Sequence, residues 1–127
     1  MDFQTGWLRE SENTEYLRKG GLRFGAPALL ADPPEEFDTR TIINVENQGN
    51  TSSCVGHGTS SCMEACAWIA AQNSEAVAPD QFSRWFAYIT AQEQSELVGR
   101  DVGATISGAA EAMKKGGCCK ESTLLFT

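Results

Sequence analysis

Apolar residues recur at helical spacing in three stretches of the chain, and polar or glycine-bearing segments separate them. Over residues 54–71, Val55, Thr59, Cys62, Cys66 and Ile69 fall three or four apart, the stripe of a helix laid on a core. Met63, Ala67 and Ala70 widen the stripe, and Trp68 is placed to pack on a second helix. The many small residues, among them Gly56, Gly58 and Ser60, leave room for another surface to come close. Pro79 suits a helix's first turn, so a second helix is expected over 79–94, with Phe82, Trp85, Phe86 and Ile89 inward and Tyr88 at the rim. These aromatics supply most of the expected core area. A third helix is expected over 105–115, capped by Thr105 and stopped by Gly116-Gly117, with Ile106, Ala109, Ala110 and Met113 inward. Its last turn holds Lys114 and Lys115, where the helix dipole favours cations.

The flanking segments are less regular. Residues 1–20 are polar and charged, with scattered Phe3, Trp7, Leu8, Tyr16 and Leu17. They read either as a short helix over 10–19 or as an extended arm whose aromatics pin it to the body. Gly20-Gly21 breaks whatever precedes it, and Ala31-Asp32-Pro33-Pro34 is a stiff extended linker. The chain therefore divides into a leader or strap, 1–33, and a folded body, 34–127. Within the body Phe37 is expected inward, Arg40 solvated or in a local salt bridge, and residues 41–45 extended. Residues 72–78 and 92–100 read as loops, and Leu124-Leu125-Phe126 as a short apolar strand.

Composition narrows the function classes. The formal charge is −7, which disfavours a nucleic-acid or anionic-membrane partner, because both need basic patches. No apolar run approaches the length of a membrane span, and Met1-Asp2-Phe3-Gln4 does not open a secretory signal. The five cysteines are an odd number with no disulfide framework, pointing to a reducing, cytoplasmic compartment. Cys62 and Cys66, one helical turn apart, read as small buried hydrophobes. Cys118-Cys119 are either buried thiols or an exposed vicinal pair prone to oxidation.

The densest chemistry lies just ahead of the first helix. Asn47-Gln48-Gly49-Asn50-Thr51-Ser52-Ser53-Cys54 is a glycine-bearing turn that delivers Cys54 to the helix start. Unpaired backbone N–H groups and a positive field there favour the thiolate form of a thiol, and Ser52 or Ser53 can cap the helix. Gln48, six positions earlier, can fold back so that its amide joins the Cys54 N–H in holding an oxyanion. His57 sits three residues after Cys54, but a helix start disfavours imidazolium. It reads as a neutral boundary histidine donating one hydrogen bond. No metal is expected, since the lone His and the adjacent cysteines fit known ligand spacings poorly. No Cys-x-x-Cys is present for redox work.

The run Val45 to Cys54 resembles the active-site segment of the papain-like cysteine proteases, whose pattern is Asn/Asp-Gln-Gly, three residues, Ser, Cys. Pro34-Glu35-Glu36-Phe37-Asp38-Thr39-Arg40 is similar to that family's mature start. Asp101-Val102-Gly103-Ala104 and the helix leading to Lys115-Gly116-Gly117-Cys118 resemble its substrate-binding glycine segment and following helix. The likeness spans roughly residues 34–127. It implies a mainly α fold, the helical lobe of a two-lobed α+β protease with its central helix starting near Cys54. It implies Cys54 as nucleophile and Gln48 as oxyanion donor. It also implies a peptide or protein substrate held by Gly103, with Ser53 and Val102 beside it, and no cofactor. Three residues depart from the pattern: Thr51 where many members carry a disulfide cysteine, Val55 for the usual Trp, and His57 for an aromatic. The family's catalytic His and Asn lie about 130–150 residues past the nucleophile, beyond Thr127. The resemblance therefore implies a partial protease, inactive alone, whose base comes from a missing C-terminal lobe or a second chain. An exposed apolar face would then favour a homo-oligomer. The alternative is a non-catalytic interaction or structural module that keeps the fold.

Overall fold

A computed structural model describes residues 6–8, 36, 38–72 and 81–127. Phe37, Pro79, the linker at 31–34 and the expected helix or arm at 10–19 lie outside them. Among the described residues the body has three helices, α1 (Cys54–Gln72), α2 (Arg84–Glu93) and α3 (Ile106–Gly116), preceded by a 3-10 turn at Thr39–Thr41. The molecule is mainly α-helical, and no strand occurs among the described residues. Two isolated bridges pair Trp7 with Ala104 in parallel and Phe82 with Lys120 in antiparallel fashion.

Helix α2 packs against both α1 and α3, which meet each other over a shorter stretch. Small residues make these crossings close. A methyl group on Gly56 of α1 would lie 2.8 Å from the Arg84 carbonyl oxygen, and one on Gly108 of α3 would lie 2.7 Å from that of Ala91. The core is correspondingly compact, built from Val55, Tyr88, Ala91, Ala104 and Ala109 with Cys54 and Trp85 against it.

This crossing geometry explains where the apolar periodicity misleads. The buried residues of α1 are Val55, Gly56 and Ser60, a small-residue face that lets α2 approach. Cys62, Cys66, Ile69 and Trp68, expected inward, are exposed. Ile89 and Ile106 are also exposed, whereas Tyr88, placed at the rim by its pattern, is only 2 % exposed.

Helix α3 has its limits where its caps put them. The Thr105 side chain accepts from the Gly108 N–H at 3.0 Å, and Gly117, at φ 69°, donates to the Met113 carbonyl. Helix α2 starts later than its pattern implies. Residues 81–83 are held outside the helix by the C-terminal segment: Ser83 N–H donates to Cys119 O and Glu121 N–H to Gln81 O. The buried Ser83 hydroxyl then caps α2, accepting from Phe86 N–H at 3.1 Å and donating to Leu124 O at 2.7 Å. Residues 121–124 form turns and bends and 125–127 carry no regular structure, so the expected strand is absent there. Residues 41–45 form no strand either, and Val45 is fully exposed. Arg40 pairs with Asp38 at 2.7 Å on the surface. That contact holds the Asp38 carboxyl below its ordinary value and the Arg40 guanidinium above its own.

Candidate active site at the head of the first helix

The turn before α1 is built from its own polar side chains. Asn47 Oδ1 accepts from Gly49 N–H at 2.8 Å, and Gly49 adopts φ 60°, which glycine reaches without strain. Thr51 donates its hydroxyl to Gln48 O, and the Gln48 amide donates back to Thr51 O, both at 2.8 Å. Ser53 O receives the His57 N–H at 3.0 Å, the first bond of the helix. Cys54 is the first residue of α1 and is half-buried.

Cys54 borders an apolar groove of about 520 Å³ between α1 and α3, walled by Thr59, Met63, Ile106 and Met113 and by Trp7 from the N-terminal segment. Residues 6–8 cross one side of it. Ala104 N–H donates to Gly6 O at 2.9 Å, and Leu8 N–H donates to Ala104 O at 3.0 Å. Gly6 is threaded between two backbones: a methyl group there would overlap Ser52 O, and one on Gly103 would overlap Gly6 O. An extended piece of polypeptide is thus held by main-chain bonds next to Cys54, its tryptophan lining the groove.

Helix α2 fixes the segment that does the holding. Tyr88 and Gln92, one turn apart, both face it. The Tyr88 hydroxyl accepts from Gly103 N–H at 3.0 Å and donates to Asp101 Oδ1 at 2.9 Å. Gln92 donates to Arg100 O at 2.8 Å and to Gly103 O at 2.9 Å. Asp101 Oδ1 also accepts from Ser52 N–H at 2.8 Å, so the glycine segment and the cysteine turn are joined directly. Burial pushes the Tyr88 phenol up to about 12, with the Asp101 carboxylate adding to the shift.

The residues singled out by sequence are therefore gathered at one end of the bundle. Cys54 and Gln48 share the turn, and Gly103 lies across the threaded segment from Ser52. One N–H of the Gln48 amide is committed to Thr51 O, which leaves its second N–H for any other acceptor. Ser53 is fully buried, its hydroxyl 2.6 Å from Thr51 Oγ1 and 3.2 Å from His57 Nδ1. Val102 is exposed. His57 Nδ1 also lies 3.1 Å from Ser53 O, and its ring meets Phe126 edge-on at 4.6 Å.

The five cysteines are free thiols. Cys62 and Cys66 are exposed rather than buried, and partial burial together with Cys66 raises the Cys62 thiol. Cys118 is half-buried, donates to Ser83 O at 3.4 Å, and is raised by burial and by Cys119. Among the described residues no group of three or more His, Cys, Asp or Glu is placed to hold a metal ion. No helix among them is long and apolar enough to cross a membrane.

Sequence reasoning missed Tyr88, Gln92 and Asp101. The available signal was the spacing of Tyr88 and Gln92 on a helix followed closely by a glycine segment. Trp7 is one of the aromatics that the extended-arm alternative pins to the body, and residues 6–8 are held there; its place beside Cys54 has no signal in the sequence. No family model matches this chain, and neither a curated protein nor a solved structure does.

Proposed function

We propose that residues 34–127 are the nucleophile-bearing helical lobe of a papain-like cysteine peptidase, and that residues 6–8 lie where a peptide substrate would bind. The observation that carries this reading is the main-chain pairing of Gly6 and Leu8 with Ala104, beside a half-buried thiol at a helix start. Extended peptides are recognised by such backbone pairing plus a pocket for one side chain, and the apolar groove is a pocket for a large apolar residue.

In this reading the Cys54 thiolate attacks the scissile carbonyl carbon. A carbon–sulfur bond forms, and the carbonyl electron pair moves onto oxygen, where the Cys54 N–H and the Gln48 amide stabilise it. Collapse breaks the carbon–nitrogen bond, the amine leaves with a proton, and water then hydrolyses the thioester. The proton donor is supplied from outside residues 34–127, because His57 is tied to Ser53 and Phe126. Without that donor the amine cannot leave, so the isolated chain should not cleave a peptide bond and should react only with electrophiles whose leaving group needs no proton. Residues 6–8 take the backbone-pairing edge at Ala104 and so compete with an incoming peptide.

A non-catalytic module is the second reading. It is favoured by the Gln48 amide spending a bond on Thr51 O and by the chain filling its own backbone-pairing edge. An electrophilic peptide mimic separates the two. The peptidase reading expects Cys54 to be modified first, with Cys54→Ala abolishing that adduct. Equal modification of Cys62, Cys118 or Cys119 would reject it.

A further inference from the structure

We infer that Arg84 is a positioning residue for the cysteine turn, acting through Glu46; its catalytic sense rests on the peptidase reading above. Arg84 opens α2 and is 4 % exposed. Its guanidinium meets Glu46 through two contacts, Nε with Oε2 and Nη2 with Oε1. Glu121 Oε2 lies 3.3 Å from Nη1, Glu64 Oε1 lies 3.6 Å from Nη2, and Nη1 donates to Phe82 O at 3.0 Å. All three carboxylates are largely buried.

Each carboxylate belongs to a different part of the chain. Glu64 lies midway along α1 and accepts from Phe82 N–H at 2.7 Å. Glu121 accepts from Arg84 N–H and from Phe126 N–H, and Phe126 is the ring against His57 and Trp85. Glu46 sits two residues before Gln48, between exposed Val45 and Asn47. The turn 47–53 is therefore held at two ends. Asp101 fixes Ser52 on the far side, and Arg84 fixes Glu46 on the near side. The bonds inside the turn, between Gln48 and Thr51, set its shape but not its attachment to the body. A fork-to-carboxylate contact specifies orientation as well as attraction, which suits a clamp that aims a turn.

The clamp makes a claim that a merely stabilising ion pair does not. Glu46→Gln keeps the side-chain shape and removes its charge. Glu64→Gln removes a charge from the same guanidinium but ten residues into α1, away from the turn. In the full chain, Glu46→Gln should raise amide exchange of residues 47–52 about tenfold while leaving α3 unchanged, a local opening. It should also slow Cys54 modification about fivefold relative to Cys118 in the same molecule, as expected for a misplaced reacting group. Glu64→Gln should change neither, and Arg84→Lys, which keeps the charge and loses the fork, should fall between wild type and Glu46→Gln. Wild-type exchange at 47–52 in Glu46→Gln, or an equal rise across all helices in both Gln variants, would overturn the inference. Cys54 showing no preferential modification in the wild type would reject the peptidase reading, and the exchange data would still decide the clamp.

Discussion

At the residue scale, Tyr88 has a single hydroxyl that joins two loops. It accepts from the buried Gly103 N–H and donates to Asp101. Tyr88→Phe leaves that amide unpaired and should cost about 1–3 kcal/mol in denaturant unfolding. The phenol is raised from 10.0 to about 12 chiefly by burial, so the fold favours its neutral form. Its contribution is complete below about pH 10 and is lost as pH rises toward 12. Wild type should therefore lose more stability than Tyr88→Phe across that window. The carboxylates around Arg84 oppose each other in the same way. Burial, reinforced by Glu121, raises Glu64. The fold thus favours its neutral form, a contribution present below the ordinary carboxyl value and lost as pH rises from there through the raised folded value. Burial also acts against ionised Glu121, but bonds from Phe126 N–H, Arg84 N–H and the Arg84 guanidinium prevail and lower it. Its contribution is present at neutral pH and is lost as pH falls from the ordinary carboxyl value through the lowered folded one. At pH 7, Glu64→Gln should be neutral or stabilising, whereas Glu121→Gln should cost about 1–2 kcal/mol, a loss that shrinks on acidification. Thermal melts of the two variants from pH 3 to 8 check both signs.

At the element scale, the helices meet through missing side chains. Gly56 and Gly108 stand where added methyl groups would press on backbone atoms of α2, and backbone cannot yield as a side-chain tip can. Either Gly→Ala substitution should cost about 1–3 kcal/mol by overpacking, despite the better helix propensity of alanine. Equilibrium unfolding that shows a gain at either site would contradict the crossing geometry. The same geometry decides what was legible in the chain. Helix α3 could be read closely because Thr105 and Gly117 cap it locally. The start of α2 could not, because Ser83 and Gln81 are bound by Cys119 and Glu121 from nearly forty residues away. The facing of α1 follows its stripe at Val55 and departs from it further on, because close approach selects Gly56 and Ser60 and leaves Cys62, Cys66 and Ile69 exposed.

At the scale of the whole molecule, the cysteine turn, the glycine segment and the N-terminal segment converge at one end of the bundle. The position of Cys54 at a helix start was legible because glycine, serine and a following apolar period are local signals. The pairing of Gly6 and Leu8 with Ala104 was not, since one backbone bridge between distant segments leaves no periodicity. Gly6 offers the most direct test, because a single methyl group there cannot fit against Ser52 O. The measurement is the rate of Cys54 modification by a peptidyl electrophile divided by its rate with a small alkylating agent, in wild type and in Gly6→Ala. If residues 6–8 occupy a peptide-binding groove beside a nucleophile, that ratio rises severalfold in Gly6→Ala at Cys54 and stays flat at Cys62. A ratio unchanged by the substitution, or one that rises equally at both thiols, would contradict the account.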